Sequence, residues 1–538
     1  MEKCSYRRIR SLGRWVISFL LLTVYPAVSF SAPLLNAQEK HGKHIYSKTT
    51  SPSGKEIKAF VGVASLEAPG AAMACANCHG YDGKGRPEGG ISPSNITWQE
   101  LSKSYGVRHT SGREHPAYTE ETLVRAITKG IDPAGNKLDP AMPIFSMPSE
   151  DLAALIAYLK RLGTELDPGI SGSTIRIGTI LPSEGPRGAI GEAIEKTLAA
   201  YFMEINEQGG IYNRQLDLVV GRGKAQLTRE QVWTFLQGQN LFALVSTFVP
   251  ELDQEIPALV EEETIPLIGP FTLFPTTELA LNRYLFYLLS GLGEQGQALI
   301  NFASRNLELE NPHFVILHPA RPDLAEVIQA AEEQAKAKEW KRIFRREYPL
   351  NQFDAARWVQ KLREEKVDII LFFGIETETR VLLKEIQKKN WAPVLLLPGV
   401  LLGKTINDIP STLKEKVLIA FPTLPEDQKE KGMKEFVRLV GKHNVPTSHP
   451  GAQLSAYAAA QVLLEGLRRA GREVSREKFI ATLEKMLEFD TGLTPLITYG
   501  PNRHIGALGA YVVTVDPDQQ GKRGFISSQK WVSLESGN

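Results

Sequence analysis

The chain has 538 residues, a formal net charge of +1 at pH 7 and 42% hydrophobic residues. A single hydrophobic core rarely grows beyond about 250–300 residues, so this length predicts at least two domains. The balanced charge argues against a nucleic-acid-binding surface and against a polybasic membrane patch. The three cysteines are Cys4, near the N-terminus, and the closely spaced pair Cys75 and Cys78.

Residues 1–37 have the pattern of a signal peptide. Five basic residues from Lys3 to Arg14 precede a mostly apolar stretch from Trp15 to Phe30, and small residues follow it. The apolar stretch of about 16 residues is shorter than the ~20 needed to span a membrane, which favours export and removal over an uncleaved anchor. Cleavage after Ser31 and cleavage after Ala37 both fit, and either one removes Cys4.

Cys75-Ala76-Asn77-Cys78-His79 matches the motif for covalent attachment of haem c. Each thiol adds to one vinyl group of the porphyrin, and His79 supplies an axial ligand to the iron. Zinc is the alternative, but it takes four ligands and the chain has no second cysteine pair to complete them. We therefore expect one covalent haem. Haem c is attached on the outer side of the bacterial cytoplasmic membrane, so motif and leader together predict the periplasm.

Residues 38–165 resemble a class I cytochrome c, which implies a small all-α domain. Gly42–Tyr46 is similar to the N-terminal helix of that family, with a small and an aromatic residue where two helices cross. Gly80–Gly85 matches the glycine-rich turn after the haem motif. Ser149 is expected to cap a C-terminal helix, whose apolar residues recur at helical spacing: Leu152, Leu155, Ile156, Leu159 and Leu162.

The resemblance also implies the sixth iron ligand. Met142-Pro143 precedes Ile144-Phe145 as in the ligand loop of the family, while Met147 is the alternative methionine and His109 or His115 would give a bis-histidine iron. Pro93 resembles the proline whose carbonyl accepts the other ring N–H of the haem histidine. With both axial positions filled, the iron supports electron transfer rather than catalysis, so we expect no enzymatic activity.

Residues 166–173 are predicted to be a linker, and from residue 174 onward strands and helices alternate. Short β-branched runs at Ile175–Leu181, Leu216–Val220, Phe242–Ser246, Phe314–Leu317, Val367–Phe373 and Val394–Leu397 are typical of buried parallel strands. Alternation at this spacing predicts doubly wound α/β units, and the length from 174 to 538 suits two lobes.

Residues 174–538 resemble the type I periplasmic binding proteins, specifically the branched-chain amino-acid (leucine-binding) branch of the ABC-transporter substrate-binding family. The segments that carry the resemblance include, in order, Ile175–Pro182, Glu204–Ile211, Ala243–Ser246, Ile265–Pro270, Phe489–Gly492 and Gly506–Tyr511. The resemblance implies a ligand held between the lobes at the strand ends. The implied contacts are Ser183, Glu184, Thr247, Phe248, Phe271 and Thr272 from the first lobe and Glu376 from the second.

The ligand is not expected to be a standard α-amino acid. A buried ammonium must be paired with carboxylates, but Gly293 and Pro398 stand where the family has its acids. Glu294 or Glu376 could substitute; otherwise the ligand is another small organic molecule, such as an acid or alcohol.

Together these features predict a periplasmic cytochrome c fused to a solute-binding protein, with a His79/Met142 iron and a small organic ligand. Its redox partner would be a periplasmic dehydrogenase or another cytochrome. The alternative is a receptor for an ABC permease in which the cytochrome is a redox sensor or tether.

Overall fold

The computed structural model describes residues 35–85, 87, 90–109, 111–164, 166–223, 227–276, 283–307, 309–515 and 526–534. Residues 1–34, which hold nearly all of the predicted signal peptide, lie outside the described residues. None of the helices in the described part has the length and apolar character needed to cross a membrane.

The N-terminal domain is built from short helices joined by long loops. Its helices are α1 (Ala37–Lys48), α2 (Cys75–His79), α3 (Trp98–Leu101), α4 (Glu120–Lys129) and α5 (Ser149–Leu159). Its strands are β1 (Lys58–Val61), β2 (Leu66–Pro69), β3 (Val107–Arg108), β4 (Glu114–His115) and β5 (Ile144–Ser146). β1 pairs in antiparallel fashion with both β2 and β5, so a three-stranded sheet is added to the predicted helices.

The crossing of α1 and α5 is the centre of this domain. Gly42 packs directly on the backbone of Ala154, and the Tyr46 and Tyr158 rings lie 5.5 Å apart. His41 of α1 also contacts the fully buried Asp151 of α5 at 2.7 Å. The predicted pairing of a small and an aromatic residue at a helix crossing is confirmed.

The two ends of this crossing correct the sequence analysis. Asn36 caps α1 in a reciprocal capping box with Glu39, so the folded domain begins before residue 38. The cap predicted at Ser149 is wrong, because Pro148 occupies the N-cap and Ser149 is the first helical residue. A proline fits there because its fixed φ and missing N–H cost the helix nothing at its start.

Residues 166–173 are not a free linker, because they pack on the following domain. The carboxylate of Asp167 accepts the backbone N–H of Arg476. Gly169 lies against the backbone of Phe242, where a Cβ would come within 2.1 Å of the nitrogen, and Ile170 is buried and forms a bridge with Ile175. The connection therefore extends the fold of the second domain.

The second domain alternates strands and helices in two lobes. The chain forms β6 (Thr174–Pro182), α6 (Gly185–Glu207), β7 (Gln215–Gly223), α7 (Arg229–Gly238), β8 (Ala243–Val245), α8 (Ile256–Glu262), β9 (Leu267–Ile268) and β10 (Leu285–Leu289). It then forms α9 (Leu292–Asn306), β11 (His313–Pro319), α10 (Ala325–Ala337), β12 (Arg342–Tyr348), α11 (Ala355–Glu364), β13 (Ile369–Phe372), α12 (Glu376–Lys388), β14 (Val394–Pro398) and β15 (Val417–Phe421).

The end of the chain contributes to both lobes. It forms α13 (Glu430–Lys442), α14 (Pro450–Ala470), α15 (Arg476–Leu483), β16 (Ile505–Ala507), β17 (Gly509–Val515) and β18 (Ile526–Ser533). The first sheet is parallel, in the order β16-β10-β9-β8-β6-β7. The second has the order β12-β11-β13-β14-β15-β17-β18. Its strands are parallel up to β15, β17 is antiparallel to β15, and β18 is antiparallel to β17. The predicted doubly wound lobes are confirmed.

The two domains touch beside the cysteine motif. Tyr81, two residues after His79, lies with its ring 5.9 Å from the guanidinium carbon of Arg283, at the start of β10. Arg283 forms an ion pair with Glu477 of α15. Tyr81 is half-buried, and this burial raises the pKa of its phenol. The first lobe is therefore the one that the N-terminal domain contacts here.

Candidate functional site

The five residues of the cysteine motif form the short helix α2. Cys75 is half-buried and Cys78 is exposed, so one thiol faces the core of the domain and the other faces outward. Burial raises the pKa of Cys75 to about 11. The end of α2 is held by α1, because the hydroxyl of the buried Tyr46 donates a hydrogen bond to the carbonyl of Gly80 at 2.5 Å.

His79 is buried, with 7% of its surface exposed, and its ring is fixed by one backbone contact. Nδ1 lies 2.9 Å from the carbonyl oxygen of Ser94 and must donate to it, which leaves Nε2 with its lone pair. The carbonyl predicted for this role was that of Pro93, one residue earlier. The Pro93 carbonyl instead packs on Gly85, where a Cβ would lie 2.1 Å from its oxygen. Burial lowers the pKa of His79, which favours the neutral ring.

The two candidate methionines flank β5. Met142 precedes the strand and Met147 follows it, and both are partly buried against the apolar core that Cys75 also contacts. The loop of Met142 is held in place because its N–H donates to the carbonyl of Asp139 at 2.9 Å.

His109 and His115 form a polar cluster rather than presenting free ring nitrogens. Their Nε2 atoms lie 2.9 Å apart, and Nδ1 of His115 donates to the carbonyl of Pro116 at 2.8 Å. Arg113 reaches His109 Nε2 at 3.0 Å and the buried carboxylate of Asp132 at 2.8 Å. Burial, followed by the charge of Arg113, lowers the pKa of His109. This engagement favours Met142 or Met147 over a second histidine as an iron ligand.

These residues fit a covalently bound haem. Two thiols, a buried imidazole with its Nε2 lone pair available and an adjacent apolar core are what a thioether-linked porphyrin needs. In the cluster of His109 and Arg113, the guanidinium retains N–H groups suited to the carboxylates of such a group. It connects to the haem histidine through Ser94, whose hydroxyl lies 3.3 Å from Nδ1 of His109.

In the second domain, four of the six predicted first-lobe contacts lie together. Thr247 follows β8 and Thr272 follows β9, and both line one small cavity. The N–H of Phe271 donates to the carbonyl of Thr247 at 2.9 Å, and the Phe248 and Phe271 rings meet edge to face at 5.3 Å. Thr247 is 3% exposed.

The other predicted ligand contacts already have partners or lie apart. Ser183 donates its hydroxyl to the carbonyl of Gly223 at 2.6 Å, and the exposed Glu184 is the N-cap residue of α6. In the second lobe, Glu376 begins α12 and forms an ion pair with Arg380 at 2.7 Å. Glu294 is buried and accepts the N–H of Gly291 at 2.8 Å, so its carboxylate caps α9. Neither of the two acids predicted as substitutes is free for a ligand ammonium.

Sequence reasoning missed Asp253 and Tyr287, which line the same cavity as Thr247 and Thr272. The hydroxyl of Thr272 donates to Asp253 at 2.9 Å, and the Tyr287 hydroxyl accepts the N–H of Thr276 at 3.3 Å. Asp253 follows β8 by eight residues and lies outside every motif, and with Glu251 and Glu255 beside it no signal in the sequence singles it out.

Comparison with known families agrees with this two-domain arrangement. Residues 174–522 match the family model described as periplasmic binding protein, and residues 70–163 match the one described as cytochrome c. No curated protein matches the sequence.

Among solved structures, a substrate-binding protein of an ABC transporter from Aeropyrum pernix is 15% identical with a TM-score of 0.51, covering 68% of this chain and 98% of its own. A branched-chain amino-acid ABC transporter protein from Thermus thermophilus, with bound valine, is 14% identical with a TM-score of 0.50, covering 68% and 98%. A fatty acid ABC transporter substrate-binding protein from Thermomonospora curvata is 16% identical with a TM-score of 0.50, covering 69% and 95%. At these identities the similarity shows the fold. The chain belongs to the periplasmic binding protein family, and a cytochrome c domain precedes its two-lobed domain.

Proposed function

We propose that the protein is a periplasmic electron carrier with a fused solute-binding domain. One haem c is attached through Cys75 and Cys78, with His79 and Met142 as axial ligands, and a small organic ligand binds between the lobes. The observation that carries the proposal is the hydrogen bond from Nδ1 of His79 to the carbonyl of Ser94. This contact fixes the tautomer and the orientation of the ring, as an axial ligand requires.

The residues of the N-terminal domain would hold a redox centre. When bound, haem c supplies a one-electron couple between ferric and ferrous iron. Tyr46 anchors the end of α2 through Gly80, so the two thiols and His79 keep a constant spacing. His79 and Met142 would hold the iron, and a thioether ligand from Met142 would favour its reduced state and leave no room for a substrate to bind it. We therefore propose electron transfer without a self-contained enzymatic reaction.

The electrons need a source and an acceptor outside the chain. A periplasmic dehydrogenase and another cytochrome have the required one-electron chemistry. The contact between Tyr81 and Arg283 keeps the haem motif on the first lobe, so ligand capture and electron transfer take place within one assembly. Closure of the lobes over a ligand would then accompany docking of the redox partner.

Export to the periplasm is part of the proposal, and the fold bears on the two candidate cleavage sites. Cleavage after Ala37 would remove Asn36, the N-cap of α1, and one helix cap contributes about 1 kcal/mol. Cleavage after Ser31 retains the cap and also Leu35, which packs on the domain core. We propose cleavage after Ser31.

Expression in a bacterium that matures c-type cytochromes tests the proposal. The purified protein should carry the mass of one covalent haem and show Soret absorption, and Cys75→Ser together with Cys78→Ser should abolish both. Cys4→Ser is the matched control, because this residue lies in the predicted leader, and it should leave the haem content unchanged. A colourless wild-type protein would refute the cytochrome function.

A thermal-shift screen of small metabolites on the oxidised and reduced protein tests the second half of the proposal. A ligand that stabilises one redox state more than the other would demonstrate coupling between cleft and haem. Equal stabilisation of both states would instead favour a transport receptor with a tethered cytochrome. If no compound stabilises either state, the proposed solute binding is wrong.

A further inference from the structure

A small cavity in the first lobe has the size and polarity of a binding site for one charged head group. Its volume is about 10 Å³, which is room for a single water-sized group. Among the described residues that line it, Asp253 carries the charge. The other lining residues are the polar Thr247, Thr272 and Tyr287 and the apolar Val249, Ile256, Pro270 and Leu285.

The carboxylate of Asp253 is the strongest hydrogen-bond acceptor at this cavity. Thr272 already donates to Asp253 and accepts the N–H of Phe274, at 2.9 and 3.0 Å, so its one hydroxyl hydrogen is used. Asp253 has a second carboxylate oxygen beyond the one bonded to Thr272. A group with several N–H donors and a positive charge matches this lining better than a carboxylate does.

Thr247 gives independent evidence that a ligand belongs here. Its side chain is 97% buried, and its hydroxyl oxygen has no hydrogen-bond partner within the described part of the chain. A buried hydroxyl without a partner costs about 1–3 kcal/mol, and a bound polar group at this position would remove that cost.

The charges near the cavity leave Asp253 without a counter-ion. Glu251 pairs with Arg187 in the first lobe, and Asp323 pairs with Arg321 in the second. The pKa of Asp253 is raised to about 6, chiefly by burial and against the lowering effect of the hydrogen bond from Thr272. Of the nearby charges, those of Glu251 and Asp323 raise this pKa and that of Arg187 lowers it less. Thr247 and Thr272 follow the C-terminal ends of β8 and β9, so the cavity lies at the edge where this fold binds its ligands.

We infer that this cavity binds the ammonium group of a primary amine, with Asp253 as counter-ion and Thr247 as hydrogen-bond partner, so that the cleft ligand is an organic amine. The half-buried rings of Phe248 and Phe271, each next in the chain to a lining threonine, offer an apolar surface to the rest of such a ligand. Asp253 thereby fills the role for which Glu294 and Glu376 are not available. The inference rests on the proposed function, in which the cleft binds a small organic molecule.

Calorimetric titration of the full-length, haem-containing protein tests this inference. The probes are methylamine, butylamine and benzylamine, each compared with its matching alcohol and carboxylate and with ammonium chloride. We expect at least one amine to bind, at least tenfold more tightly than its alcohol, with no binding of its carboxylate. Asp253→Asn should weaken the amine at least tenfold, and Glu430→Gln, which changes the exposed ion pair with Lys434 in α13, should leave it unchanged. The Soret spectrum and the thermal transition of each variant verify folding.

The remaining outcomes overturn the inference in distinguishable ways. If no amine binds, if carboxylates or alcohols bind better, or if Asp253→Asn retains full affinity for an amine, the ammonium site is wrong. If ammonium chloride binds as tightly as the amines, the cavity takes the free ion and the ligand is not an organic amine. If a metabolite from the thermal-shift screen binds while every amine fails, the solute-binding function stands and this inference alone falls.

Discussion

Replacing Gly42 with alanine should loosen the N-terminal domain at the crossing of α1 and α5. The new Cβ would lie 1.9 Å from the carbonyl oxygen of Ala154 and 2.7 Å from Cβ of Tyr158, both far inside van der Waals contact. The obstructing atom is backbone, so the helices themselves must separate, and such overpacking costs about 3 kcal/mol, the upper end of the usual range. The higher helix propensity of alanine offsets about 1 kcal/mol of this cost. We expect a net loss of about 2 kcal/mol.

The thermal transition of the domain, followed by Soret absorbance in the full-length protein, measures this loss. In a domain of this size, about 2 kcal/mol lowers the transition by roughly 10 °C. The control is Gly441→Ala in α13, where a Cβ meets nothing within 4 Å, and it should be neutral or stabilising. A Gly42→Ala variant that melts at or above the wild-type temperature would show that the helices do not pack as closely as described.

Glu204→Gln should cost about 2 kcal/mol at pH 7 in urea unfolding and nothing near pH 2. Arg438 and then Lys442 lower the pKa of Glu204 from 4.5 to about 2 in the folded protein. The stabilisation is therefore fully present above pH 4.5 and is lost as the pH falls to about 2. An equal cost at both pH values would contradict the ion-pair explanation. Met142→His should lower the reduction potential of the protein while Met147→Leu leaves it unchanged; a potential that responds to Met147 instead would reassign the ligand.

Local patterns were sufficient to predict much of this architecture. β11 and β14 are buried along their whole length, and their apolar runs predicted central parallel strands. Gly42 and Tyr46 predicted a close helix crossing because only a small residue permits one. In each case the residues that determine the element lie within one segment of the chain.

The features that the sequence did not predict depend on contacts between distant segments. Ser94 replaces Pro93 as the partner of His79 because the Pro93 carbonyl packs against Gly85, and this packing depends on the path of a whole loop. Asp253 joins Thr272 only after β8 and β9 have paired. Pairing of β1 with β5 joins segments more than eighty residues apart, and neither strand has a strong pattern of its own.

Because the connection at residues 166–173 is packed on the second domain, the boundary between the two folding units does not lie at residue 174. The N-terminus of α15 depends on the carboxylate of Asp167, and the first strand of the lobe is bridged by Ile170. A gene fusion or excision made at residue 174, where the family match begins, would cut through folded structure. Any recombination that exchanges the haem-bearing unit must therefore leave residues 167–173 with the lobes, so the breakpoint lies on the cytochrome side of Asp167.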